Sequence, residues 1–122
     1  AAQNLLNRFS EVDAIFCPNE SSTQGMLRAL QTSGRAGKGT FVGFDSNETL
    51  LKAMRDGELH GLALQSPFNM GYLGVLTAVN VLDGQPVDKR VDTGVQMLTP
   101  ENMDEQAMQD LVNPPLEKWL GE

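Results

Sequence analysis

The chain has 122 residues, of which 40% are hydrophobic and 20% are charged, and its formal net charge is −7. This length suits one domain with a buried core, and no apolar run approaches the roughly 20 residues of a membrane-spanning helix. The acidic charge and the scattered basic residues argue against a nucleic-acid partner. One cysteine and one histidine exclude a disulfide framework and argue against a structural zinc site, so we expect neither a cofactor nor a metal.

Hydrophobic periodicity divides the chain into alternating helices and strands. We expect the hydroxyls of Ser21, Ser22 and Thr23 to cap the second helix. This alternation predicts an α/β fold in which a parallel sheet carries helices on both faces. In chain order, the pattern predicts a helix at 1–9, a strand at 12–17, a helix ending at Ser33-Gly34, a strand at 40–44, a helix at 48–55, a strand at 62–64, a helix at 67–82, an extended segment at 91–98 and a helix at 103–120 interrupted at Pro114-Pro115.

The beginning of the chain already has a helical pattern, with Leu5, Leu6 and Phe9 at helical spacing. It has no initiating methionine, no N-cap residue ahead of the helix, and no basic start followed by an apolar stretch of the kind that secretory signals have. We therefore expect a processed chain or a piece of a longer protein.

A polar residue follows or ends each of the first three predicted strands, namely Asn19, Asp45 and Gln65. In open α/β sheets, ligands bind outside the carboxyl ends of the strands, so these side chains are the candidate binding residues. Amides donate and accept hydrogen bonds and an ionised carboxylate accepts them, which suits a ligand rich in hydroxyls. The absence of Arg and Lys from these positions argues against a phosphate or carboxylate ligand. The alternative is that Asn and Asp stand here as local turn residues.

No arrangement of catalytic residues is recognisable, and we expect the chain not to be an enzyme. The segment 34–40 is glycine-rich, but it leads from a helix into a strand, whereas a phosphate loop leads from a strand into a helix. His60 is expected at the edge of a strand. Cys17 and the aromatic residues Phe16 and Phe44 lie within or at the end of strands and are expected in the core.

Several stretches, in this order and at this spacing, carry a recognisable pattern. Together they resemble the ribose-binding class of periplasmic sugar-binding proteins, which serve ABC importers, and the resemblance covers the carboxy-terminal portion of that family. These stretches are VDAIFCPNE at 12–20, GMLRAL at 25–30, VGFD at 42–45, MRDGEL at 54–59, LQSPFNMG at 64–71 and VDTGV at 91–95.

The resemblance implies a type I periplasmic-binding-protein fold with an incomplete carboxy-terminal lobe. It implies that Asn19, Asp45 and Gln65 bind sugar hydroxyls. It divides the chain into a partial carboxy-terminal lobe (1–65), a crossover helix that belongs to the other lobe (66–92), and a returning hinge strand with a helical extension (93–122). The implied hinge residues are Gln65, Ser66, Asp92 and Thr93.

The same resemblance implies a periplasmic location, a monosaccharide ligand and an ABC permease as the membrane partner, with weak or no sugar binding by this chain alone. Two other functions remain open. One is the effector-binding domain of a lactose-repressor-type transcription repressor, and the other is a small flavodoxin-like or nucleotide-binding enzyme. An incomplete sheet would leave an open strand edge near 12–17, so we also expect the chain to self-associate or to pair with a missing amino-terminal piece.

Overall fold

The computed structural model describes residues 1–121 as six helices and four strands in near-regular alternation. Every predicted element is present, and the last predicted helix is two helices separated at Pro114-Pro115. The elements are α1 (Ala2–Arg8), β1 (Ala14–Phe16), α2 (Glu20–Thr32), β2 (Thr40–Phe44), α3 (Glu48–Arg55), β3 (Gly61–Gln65), α4 (Pro67–Leu82), β4 (Val95–Leu98), α5 (Gln106–Val112) and α6 (Leu116–Leu120). Within residues 1–121, no helix is long and apolar enough to cross a bilayer.

The four strands form one sheet in the order β1-β2-β3-β4. The first three strands are parallel, as expected, whereas β4 runs antiparallel to β3 and pairs Leu98 with Leu62 and Val95 with Gln65. The predicted parallel sheet is therefore confirmed for the first three strands and wrong at β4. The reason lies in α4, which has no buried residue and so does not pack back over the sheet as a crossover helix does. The chain returns from the far end of α4 and enters the sheet in the opposite direction.

One face of the sheet carries the hydrophobic core. Phe41, Leu62, Leu64 and Leu98 point to this face and form a single buried cluster with residues of α1, α2, α3 and α5. Leu27 of α2 and Leu50 of α3 are completely buried in it, and full burial of such a side chain contributes about 1.5–3 kcal/mol. Because α2 and α3 are consecutive right-handed crossovers in one direction along the sheet, they lie on the same side.

The opposite face, called here the second sheet face, is apolar and largely open. Register places Phe16, Val42, Phe44, Ala63, Val95 and Met97 on it, together with the polar residues Thr40 and Gln65 at the ends of their strands. Phe16 is 60% exposed, Val95 61% and Met97 49%. Within residues 1–121, the expected helical cover is therefore found on one face only, and the prediction that Phe16 lies in the core is wrong.

Asparagine side chains begin the two helices that follow β1 and β2. The Oδ1 atom of Asn19 accepts from the backbone N–H of Ser22, and that of Asn47 accepts from Leu50. The predicted cap at Ser21–Thr23 is therefore displaced upstream to Asn19, because Asn19 has the extended backbone that an N-cap residue needs. Thr23, one of the residues predicted to cap, is instead completely buried.

Candidate functional site

The carboxyl ends of the parallel strands and the N-termini of α2 and α4 surround one open cleft of about 370 Å³. The structure brings together two of the three predicted binding residues in it, Asp45 and Gln65, while Asn19 is next to the lining residue Glu20. The apolar wall comes from α5, which sequence reasoning had not associated with a site. The lining residues are Glu20, Asp45, Ser46, Leu64, Gln65, Pro67, Leu111, Val112 and Pro114.

Asn19 is exposed and has a local role as the N-cap of α2. Its Oδ1 atom accepts hydrogen bonds from Ser22 N at 2.9 Å and from the Ser21 hydroxyl at 3.0 Å. The amide nitrogen of the same side chain donates to no group within residues 1–121. The alternative of a local turn role is therefore correct for the oxygen, and the two amide donors remain available.

Asp45 is half-buried at the end of β2 and has a left-handed backbone with φ of 60°. This conformation is uncommon for a residue with a side chain, although Asp tolerates it better than most. The backbone N–H of Asp45 donates to Ala63 O at 2.9 Å, which ties the turn to β3. Its carboxylate accepts no hydrogen bond from any described residue, so both oxygens are available on the cleft side.

Gln65 is the last residue of β3 and its side chain is exposed. The next residue, Ser66, caps α4 by accepting from Asn69 N at 3.4 Å, and Pro67 occupies the first turn. The pairing of Gln65 with Val95 brings the segment that ends at Thr93 beside this point. Ser66 and Thr93 line the same small pocket of about 210 Å³.

The remaining predicted hinge residue, Asp92, shapes the turn into β4. Its Oδ1 atom accepts from Gly94 N at 2.9 Å, and Gly94 has φ of 79°, a conformation that glycine adopts without strain. The two segments predicted as hinges, 65–66 and 92–93, therefore lie side by side where the chain leaves and re-enters the sheet.

Glu20 and Asn47 belong to the site, and sequence reasoning missed them. The Nδ2 atom of Asn47 donates to Glu20 Oε1 at 2.6 Å, and this contact joins the N-termini of α2 and α3 beside the cleft. The signal was present in the sequence, because each residue lies one or two positions after a polar residue at a strand end. Glu20 adds a second carboxylate to the cleft wall.

Thr23 connects the backbones that carry two of the predicted binding residues. Its hydroxyl donates to Asn19 O at 2.8 Å and accepts from Phe44 N, the residue before Asp45, at 3.1 Å. The side chain is completely buried and packs on Gly43, where no Cβ would fit. This single hydroxyl therefore sets the spacing between the start of α2 and the end of β2.

The chemistry of the cleft suits a neutral ligand rich in hydroxyls. Its charged side chains are the carboxylates of Asp45 and Glu20, and neither Arg nor Lys lines it. Among residues 1–121, no cluster of three His, Cys, Asp or Glu residues could hold a metal ion. Cys17 is buried as expected, and burial raises the pKa of its thiol despite a hydrogen bond from Ser22. His60 is exposed, as expected, and its Nδ1 accepts from Phe41 N at 3.1 Å.

Comparison with known proteins places these features in a family. A model of the periplasmic binding protein domain matches residues 1–86. The ribose import binding protein of Escherichia coli is 38% identical over 96 residues, which are 79% of this chain and 32% of that protein. The chain thus spans about a third of the length of such curated relatives.

Solved structures agree with this similarity. An ABC transporter solute binding protein from Agrobacterium vitis, with D-fucose bound, superposes with a TM-score of 0.85 at 33% identity, covering 91% of this chain and 38% of that one. A protein from Brachyspira murdochii, described as an ABC transporter and LacI family transcriptional regulator, superposes with a TM-score of 0.79 at 26% identity, covering 91% and 39%. These matches confirm the α/β fold class and the type I periplasmic-binding-protein fold that the resemblance implied.

Proposed function

Because the chain belongs to the periplasmic binding protein domain family, we propose that it supplies part of a sugar-binding site for ABC-type import and has no catalytic activity of its own. The ligand would be a monosaccharide, the membrane partner an ABC permease, and the location extracytoplasmic. Relatives named for ribose import or crystallised with a monosaccharide support this choice of ligand class.

The observation that carries the proposal is a cleft whose available polar groups are neutral or acidic. In it, the Asp45 carboxylate would accept hydrogen bonds from sugar hydroxyls, and the Gln65 amide would donate and accept them, while the amide nitrogen of Asn19, next to the lining residue Glu20, would donate. A sugar has no charge for Arg or Lys to neutralise, and no such residue lines the cleft.

We assign the segments of the chain as the resemblance implies. Residues 1–65 would be a partial carboxy-terminal lobe, 66–92 would cross to the other lobe, and 93–122 would return. The exposure of α4 supports this assignment, because no residue of that helix is buried against the described sheet. Hinge motion at Gln65-Ser66 and Asp92-Thr93 would then close two lobes over the sugar, and this chain alone would hold only part of the contacts.

The test is a chimera in which residues 1–102 replace the corresponding portion of the Escherichia coli ribose import binding protein. Calorimetry with a panel of pentoses and hexoses should detect monosaccharide binding. Asp45→Asn should weaken it at least about tenfold, because a charged acceptor of hydrogen bonds is lost. Asp13→Asn is the matched control, since Asp13 is exposed and lies before β1, at the other end of the sheet.

A folded chimera that binds no sugar, or an Asp45→Asn chimera with unchanged affinity, would contradict the proposal. Micromolar sugar binding by the 122-residue chain alone would contradict the division of contacts between two lobes.

The second candidate is the effector domain of a lactose-repressor-type regulator. This second function is supported by the similar protein from Brachyspira murdochii, which is described as a LacI family transcriptional regulator as well as an ABC transporter. The sequence of the gene upstream of residue 1 discriminates between the two, since a signal peptide supports transport and a helix-turn-helix supports repression.

A further inference from the structure

The end of α5 supplies three apolar residues to the cleft, Leu111, Val112 and Pro114. They lie beyond the part of the chain that matches the family model, so that match assigns them no role. The polar groups of Asp45 and Gln65 in the same cleft come from the ends of strands. The cleft is therefore amphipathic, with polar groups where the strands end and apolar side chains along α5.

The position of α5 is fixed by contacts outside the cleft. Met103 and Met108 belong to the buried core cluster. The Nε2 atom of Gln109 donates to Met103 O at 2.6 Å, and the Nδ2 atom of Asn102 donates to Met97 O at 2.9 Å. The helix is thus anchored to the core and to β4 by residues other than those that line the cleft.

Leu111 lies where the cleft meets the two segments predicted as hinges. It also lines the cavity of about 210 Å³ that Ser66 and Thr93 share, and a cavity of about 130 Å³ beside Phe68. It packs against the core cluster but is only partly buried, whereas Met108, one helical turn earlier, is buried. The helix is therefore held by Met108, and part of the Leu111 side chain remains accessible from the cleft.

On the basis of the proposed function, we propose that Leu111, Val112 and Pro114, called here the α5 wall, contact the C–H surface of the sugar, and that Leu111 is a specificity-determining residue of the site. The hydroxyls of the sugar would face Asp45 and Gln65. Burial of C–H surface against the α5 wall contributes to affinity, whereas a hydroxyl turned towards it would lose water without gaining a partner. The ligand class is therefore an uncharged monosaccharide without a hydroxyl on the side that faces α5.

The test extends the chimera described above to residues 1–122, so that it contains α5, and measures D-ribose binding by calorimetry at several temperatures. Leu111→Ala should raise the dissociation constant about tenfold and make the heat-capacity change of binding less negative, since burial of apolar surface produces that negative change. Leu111→Met keeps an apolar side chain of similar volume and should stay within about threefold of the unsubstituted chimera.

Met108→Ala is the matched control, because Met108 lies on the same helix but faces the core. It should lower the free energy of unfolding and leave both the dissociation constant and the heat-capacity change of binding unaltered. Because Leu111 is only partly buried, circular dichroism should find its variants folded.

Specificity is tested with D-arabinose, D-xylose and D-lyxose, which differ from D-ribose in the directions of their hydroxyls. Leu111→Asn offers a hydrogen-bonding amide where the leucine excludes a hydroxyl. It should therefore improve the affinity for at least one of these pentoses relative to D-ribose about tenfold.

The proposal is overturned if Leu111→Ala leaves the affinity and the heat-capacity change as they are, or if Met108→Ala weakens binding as much, because α5 would then act through stability alone. Unchanged affinity ratios among the pentoses in Leu111→Asn would overturn the specificity role. Absence of sugar binding by the unsubstituted chimera would contradict the proposed function, and the α5 wall would fall with it. Binding that the Leu111 variants leave unaltered would overturn the α5 wall alone.

Discussion

Replacing Thr23 by valine should destabilise the fold through two hydrogen bonds, with almost no change in side-chain shape. The hydroxyl of Thr23 donates to Asn19 O and accepts from Phe44 N, and the side chain is completely buried. Valine preserves the branched shape and the packing on Gly43 but can neither donate nor accept. The variant therefore isolates the hydroxyl that connects α2 to the end of β2.

The two lost hydrogen bonds do not contribute equally. Asn19 O keeps two other donors, the backbone N–H of Thr23 at 3.0 Å and the hydroxyl of Ser22 at 3.0 Å, so its loss is small. Among the described residues, the Thr23 hydroxyl is the acceptor for Phe44 N in this part-buried contact, and a buried N–H that loses its acceptor costs about 1–3 kcal/mol. The expected loss in the free energy of unfolding is therefore about 2–3 kcal/mol.

Urea denaturation followed by circular dichroism measures this loss. With a slope of about 1–3 kcal/mol per molar urea, a loss of about 2–3 kcal/mol should lower the midpoint by about 0.7–3 M. Thr23→Ser keeps the hydroxyl and loses a methyl group, which costs about 1 kcal/mol. The valine variant should therefore be less stable than the serine variant. A valine variant as stable as wild type, or more stable than the serine variant, would refute the role assigned to the hydroxyl.

The remaining predictions concern the same end of the sheet and use the same denaturation assay. Gly43→Ala should cost roughly 1–3 kcal/mol through overlap with the Thr23 methyl group, and Thr23→Ala in that background should recover part of the loss, whereas additive losses would contradict the overlap. Because burial raises the pKa of the Cys17 thiol, the thiol loses its proton at a lower pH in the unfolded chain than in the folded chain. The contribution of the thiol to the free energy of unfolding is therefore fully present below about pH 8.5 and declines at higher pH. Cys17→Ala should lack this decline, and equal pH profiles would contradict it. Asn47→Ala removes the cap of α3 and should cost about 1–2 kcal/mol. Asn47→Asp keeps the cap acceptor but faces Glu20, so its stability should lie between wild type and Asn47→Ala; a value equal to that of Asn47→Ala would contradict this.

The local pattern was sufficient to predict most elements and the location of the site. Apolar runs such as the one at β2 have the length of buried strands, and they alternate with helical periodicity. The carboxyl ends of parallel strands meet at one edge, so polar residues that follow them had to converge. Asp45 and Gln65 do share a cleft, as this reasoning predicts.

The direction of β4 and the open second sheet face could not be predicted from local pattern. The hydrophobic pattern of a four-residue strand such as β4 is the same for parallel and antiparallel pairing, and the direction of the strand depends on where the preceding helix ends. Whether α4 packs on its own sheet is decided by tertiary contacts, because an apolar helix is compatible with a core, another lobe or another copy. The residues that line the cleft from α5 were missed for the same reason, since only the fold brings residues beyond 110 to that edge.

A local structural role and a ligand-binding role at the strand ends exclude each other only if each residue can make one kind of contact. Asn19 has both an oxygen and a nitrogen, and the cap of α2 uses only the oxygen. At Asp45 the backbone makes the structural contact, through the hydrogen bond to Ala63 O, and the left-handed turn leaves the carboxylate free. In both cases one group of the residue stabilises the fold, and another polar group in its side chain has no hydrogen-bond partner among the described residues. Turn preference at a strand end is therefore not an argument against ligand binding, because the atoms that make the local hydrogen bonds are not the atoms that a ligand at the strand ends would use.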